Sequence, residues 1–204
     1  MKLIYFIFVF SLLSCSDEES TEIPNVLLPG TKGSYWNYTL QTYDVEDSLP
    51  RSQNYKMTLT GKTDFDGVTG YEVENIVPVL FGVSFPPDVS CYYMNSNQGL
   101  MFWRRDNSEV SFPQQPANFQ LYFKFPATVG DTLLANNILI KTESVNDVIK
   151  TSSGTYECIK YIMISHDDTI ITVWIKPKLG IIKSEEYLGG GKIISELNGF
   201  SLNQ

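Results

Sequence analysis

Histidine is nearly absent from this 204-residue chain, and cysteine is scarce: His166 stands alone, and the three cysteines are Cys15, Cys91 and Cys158. One histidine and so few thiols do not make an ordinary zinc site, which draws three or four ligands from those residue types. Cationic side chains are also in short supply, 15 Lys and Arg against 23 Asp and Glu. A net charge of −8 disfavours nucleic acid and anionic membrane surfaces as partners. Long apolar runs are missing too. The longest, Leu3–Leu13, has 11 residues, about 16 Å of helix against a hydrocarbon core of about 30 Å. It cannot be an ordinary spanning helix. Finally, no segment offers ten residues of helical apolar spacing with caps, which excludes a helical bundle and a βαβ fold.

What is present begins with Lys2, the apolar run and small Ser14, the pattern of a secretory signal peptide over residues 1–14. Cys15 follows at once. The stretch "LLSC" resembles the lipobox of bacterial lipoproteins, which implies cleavage before Cys15 and acylation of its thiol. Two or three acyl chains, at about 0.8 kcal/mol per buried methylene, make a stable anchor without a transmembrane helix. Loss of the leader removes Lys2 and takes the formal charge from −8 to −9.

Residues 15–29 carry Asp17, Glu18, Glu19 and Glu22 and little to pack before Val26. That composition predicts a disordered acidic tether with an r.m.s. span of roughly 20 Å. The run Ser16, Asp17, Glu18, Glu19 is similar to the signal that sends Bacteroidota-type lipoproteins to the outer face of the outer membrane. The expected location is therefore the outer membrane, lipid-anchored and facing the exterior.

From residue 30 to 204 the dominant period is two. Segments such as "YWNYTL", "FQLYFKF", "CIKYIMI" and "IITVWIK" are short, rich in β-branched and aromatic residues, and separated by turn formers. One all-β domain is expected, an antiparallel meander of about ten to twelve strands forming a sandwich or a curved half-barrel. In "FQLYFKF", Phe119, Leu121, Phe123 and Phe125 are expected on one face, with Gln120, Tyr122 and Lys124 on the other. In "GLMFWRR" both faces are apolar, which suits a strand covered on its second side.

A resemblance rests on "GSYWNY", "FKFPATVGDTL", "GTYECIKY" and "WIKPKLGIIKSEEY" in that order. They are similar to the pattern of small Bacteroidota-type lipoproteins over roughly Gly33 to Leu197. The resemblance implies a membrane-tethered β domain and carries over no catalytic residue, because the shared positions are mostly turn glycines, prolines and core aromatics.

Candidate chemistry is thin. His166 lies in "SHDDT", without a nucleophile elbow to serve, and reads as an exposed turn residue. "DFDG" at residues 64–67 lacks the ligand spacing of a calcium loop, and no metal or cofactor is expected. Glu185 and Glu186 are neighbours in an extended run and point to opposite faces, so a hydrolase acting on glycans or lipids ranks third. Binding has better support. Phe81, Phe85, Tyr92, Tyr93, Met101, Trp103 and Arg104 are candidates to line a pocket or to stack on sugar rings. The leading expectation is a surface lipoprotein that binds a glycan or a partner protein. The alternative is a carrier of apolar small molecules in a half-barrel cavity. Cys91 and Cys158 remain either a disulfide pair outside the cytoplasm or buried thiols.

Overall fold

The computed structural model describes residues 26–44, 49–65, 67–75, 91–104, 119–135, 137–166 and 168–203, with Arg104 and Leu188 described by backbone alone. Phe81 and Phe85, like Cys15 and residues 1–14, lie outside the described residues.

The alternating segments form twelve strands. They are β1 (Tyr35–Tyr43), β2 (Arg51–Phe65), β3 (Val68–Glu74), β4 (Cys91–Ser96), β5 (Gly99–Arg104) and β6 (Gln120–Lys124), followed by β7 (Thr132–Ala135), β8 (Ile138–Thr151), β9 (Gly154–Ser165), β10 (Asp168–Lys176), β11 (Gly180–Leu188) and β12 (Gly191–Ser201). No helix occurs among the described residues. All twelve belong to one antiparallel sheet in the order β6-β5-β4-β3-β2-β1-β12-β11-β10-β9-β8-β7. Every pair consecutive in the chain is hydrogen-bonded except β6 and β7, and the first strand pairs with the last. The result is a nearly closed barrel, so of the two expected shapes the curved sheet is found and the sandwich is not. β6 and β7 remain the two edge strands, and side chains bridge the seam between them. At the seam Tyr161 O–H donates to the Lys124 carbonyl at 2.8 Å, Phe123 packs on Tyr161 at 5.0 Å, and Lys124 pairs with Asp131 at 2.8 Å.

Period-two patterning fills the interior. Trp36 and Tyr38 from β1, Tyr93 from β4, Phe123 from β6, Tyr161 from β9 and Ile171, Val173 and Ile175 from β10 are all buried in one core. The alternation expected for β6 is interrupted. Leu100 pairs with Phe123 but Met101 pairs with Leu121, so Tyr122 is an extra residue in a bulge. A one-residue insertion reverses the faces beyond it. Tyr122 and Phe123 therefore both reach the main core, while Phe119 joins a second cluster on the other face.

Connections β2–β3, β4–β5, β6–β7, β8–β9 and β10–β11 lie at one end of the barrel, together with the N-terminal segment. The β11–β12 turn, Gly189–Gly190, and the β1 end at Tyr43 lie at the other end, here the distal end. Across the first end runs a strap, residues 26–30. Lys178 N–H donates to the Val26 carbonyl at 2.8 Å, Leu27 N–H to Asn95 Oδ1 at 3.2 Å, and Asn95 Nδ2 to the Leu28 carbonyl at 2.8 Å. Tyr93 O–H donates to the Pro29 carbonyl. Leu27 is 1% and Leu28 2% exposed, each contributing about 1.5–3 kcal/mol by burial. The sequence assigns Leu27 and Leu28 to the tether, and the structure packs both into the main core. Their apolar side chains find a site that only the closed barrel supplies. Gly180 makes room for it: its φ is +111°, and a Cβ there would come 2.7 Å from Leu28.

Candidate functional site

Alternation splits the aromatic group expected to form a site. Tyr93 faces inward, is fully buried and stacks on Tyr71 at 5.1 Å. Tyr92 points the other way, with its ring 5.7 Å from Trp103 and its O–H donating to Glu72 Oε1 at 3.4 Å. Tyr92, Met101 and Trp103 pack with Phe65, Met94 and Phe119 in the second cluster. The two apolar faces of β5 are thus both used: Leu100 and Phe102 in the main core, Met101 and Trp103 outside it. Tyr92 and Met94 are buried there, so this cluster presents packed rings rather than a row of exposed ones. Arg104 ends β5, on the strand that carries Trp103.

Cys158 carries a free thiol, so the pairing with Cys91 left open by the sequence is not made. The sheet order explains it, since Cys91 lies on β4 and Cys158 on β9, seven strands away. Cys158 lies beside a pocket of about 330 Å³ at the seam, with Phe125, Pro126, Ala127, Ile159 and Pro177. Burial pushes its thiol up to about 12, so it is a poor nucleophile at neutral pH.

A site that sequence reasoning missed lies at the distal end. Cross-strand register places Tyr43 opposite Lys192 and Lys192 opposite Tyr187, one row across β1, β12 and β11. Directly opposed residues share a face of the sheet. The two tyrosines are 36% and 43% exposed, about 10 Å apart across two strand spacings. Together with Asp44, Asp168, Thr169, Ile170 and the turn Gly189–Gly191, they line a groove of about 610 Å³. His166 is exposed in the neighbouring β9–β10 turn, with φ +50°.

The floor of the groove is held by charge. Lys192 pairs with Glu185 at 2.8 Å and lies 5.2 Å from the Tyr187 ring centroid; Tyr187 O–H donates to Glu185 Oε2 at 3.1 Å. Lys183 bridges Glu185 and Glu196 at 3.1 Å each. Burial raises the Glu185 carboxyl, but hydrogen bonds from Lys192 and Lys183 outweigh it and hold the group below its ordinary range. Glu185 is thus a fixed anion that orients Lys192 and Tyr187. The rim carboxylates Asp44 and Asp168 are hydrogen-bond acceptors, and the tyrosine faces offer stacking surfaces. Asp44 is paired with Arg51 at 3.6 Å. Tyr187 and Lys192 are the two ends of "YLGGGK", which reads only as a turn, and Tyr43 is more than 140 residues away in sequence. The pairing of the first strand with the last assembles them. Among the described residues no group of three or more His, Cys, Asp or Glu is placed to hold a metal.

No protein-family model matches the chain, and no curated protein matches it. Among solved structures, a protein from Bacteroides fragilis described as exported and as having a YmcC-like fold aligns with TM-score 0.46 and 13% identity, over 87% of this chain and 100% of that one. A protein from Parabacteroides distasonis described as a lipoprotein aligns with TM-score 0.45 and 14% identity, over 87% and 99%. A LolA superfamily protein from Nitrosomonas europaea aligns with TM-score 0.28 and 9% identity, over 87% and 89%. Likeness at this level fixes no shared activity.

Proposed function

We propose that this protein is a lipid-anchored lipoprotein of the outer cell surface whose β-barrel binds an external glycan in the distal groove. The observation that carries the reading is the exposed row Tyr43–Lys192–Tyr187, two stacking faces flanking a pre-oriented cation with carboxylates at the rim. The strap enters the barrel at the opposite end, which supports an anchor at Cys15 that leaves the groove pointing away from the lipid. Large side chains occupy the interior, and this favours a surface groove over an internal carrier cavity.

Titration with a panel of neutral oligosaccharides tests the site. Binding that falls about 30-fold in Tyr187→Ala, as for an aromatic hot spot, is expected; binding unaffected by both Tyr187→Ala and Tyr43→Ala overturns it. Palmitate labelling tests the anchor, because label retained in Cys15→Ala refutes acylation there. Protease shaving of intact cells tests the orientation, and a domain released only after the outer membrane is opened refutes surface display.

A further inference from the structure

Lys192 makes the distal groove look suited to an acidic glycan, but the charges around it point the other way. Three charged side chains line the groove: Asp44, Asp168 and Lys192. Lys192 is paired with Glu185 at 2.8 Å, and Lys183 bridges Glu185 to Glu196. Two ammonium groups and two carboxylates cancel within that network, so Lys192 offers a ligand no net charge. Asp44 is likewise balanced by Arg51 at 3.6 Å. Asp168 has no ion-pair partner among the described residues. The groove therefore carries one uncompensated charge, and it is negative.

Register places that charge at one end of the aromatic row. Ile171 on β10 is opposite Glu186 on β11, so Ile170 falls beside Tyr187, and Asp168 lies a further step along β10 toward the Gly189–Gly191 turn. Asp44 follows Tyr43 at the end of β1, three strand spacings or about 14 Å from β10. The two carboxylates thus stand at opposite ends of the row, and the unpaired one belongs to the Tyr187 end. The face of a tyrosine ring attracts cations through its quadrupole and disfavours anions. Lys192, 5.2 Å from the Tyr187 centroid, already uses that attraction. His166, in the adjoining β9–β10 turn, is not among the lining residues.

We infer that the distal groove selects glycans that carry free amino groups, oligomers of unacetylated hexosamine, with Asp168 taking an ammonium group at the Tyr187 end. The inference rests on the glycan reading of the same groove and adds its charge class. A sugar amine meets an unpaired carboxylate and an electron-rich ring. A carboxylated sugar meets an uncompensated anion, and to reach Lys192 it must compete with Glu185. The Glu185 side chain is 15% exposed, so losing one of its two lysines costs more than an exposed ion pair returns.

Isothermal titration with a matched pair of trisaccharides tests it. The pair is triglucosamine and its tri-N-acetylated form, at about pH 6, where such amines are charged. The amine form is expected to bind roughly 5- to 10-fold more tightly, the size of an exposed ion pair with an aromatic contribution. Trigalacturonate is expected to bind more weakly than either. The ratio within the matched pair should fall toward one in Asp168→Asn, and also in about 1 M salt, where exposed charges are screened. Equal affinity for the matched pair, a preference that survives Asp168→Asn, or tightest binding by trigalacturonate would overturn the inference and leave the glycan reading standing. Binding of none of the three would overturn both.

Discussion

Asn95 and Leu28 are 67 residues apart, yet the Asn95 carboxamide donates to the Leu28 carbonyl at 2.8 Å and accepts from Leu27 N–H at 3.2 Å. One side chain on β4 thus serves both backbone polarities of a segment that has no strand partner. Asn95→Ala should lower stability by about 1–3 kcal/mol, because it leaves buried backbone groups unpaired. Hydrogen exchange at the Leu27 amide should accelerate by more than the global loss of stability explains.

Gly180 tests the same strap from the other side. Gly180→Ala should cost about 2 kcal/mol or more, from a disfavoured positive φ and a clash with Leu28. Starting the chain at residue 30 removes the clash and leaves only the backbone term. Chemical denaturation of the single variant, the truncation and their combination measures the coupling, and simple additivity would refute the contact.

The charged row on the outer face sets a pH window. The Glu185 carboxyl is held below its ordinary 4.5, so its contribution is present above that value and disappears as pH falls through the folded-state pKa. Lys183 has the opposite sign. Burial lowers it, but hydrogen bonds to Glu185 and Glu196 outweigh this and raise it above 10.5, so its contribution is lost as pH rises through the folded-state pKa. The Tm difference between the native protein and Glu185→Gln should be flat between these limits and shrink below about pH 4.5. A difference that grows on acidification would contradict the network.

Cys158 should resist alkylation in the folded protein at pH 8, because burial holds its thiol at about 12. Iodoacetamide should modify it rapidly only in denaturant, as read by mass spectrometry. Rapid labelling under native conditions would show that the seam pocket opens.

The all-β class, the approximate strand number and the two-faced burial of "GLMFWRR" follow from composition and period alone, since side-chain alternation is a local property of extended chain. The leader-like pattern of residues 1–14, Cys15 and the acidic run are likewise local patterns. Register is not local. The bulge at Tyr122 reverses a face that strict alternation assigns otherwise, and Leu27 and Leu28 look like tether until a closed barrel offers them a site. The groove depends most on tertiary structure: Tyr43 meets Lys192 and Tyr187 only because the first strand pairs with the last. Period-two patterning says which side chains turn inward on each strand, whereas the hydrogen-bonded order of strands decides which outward-facing residues become neighbours.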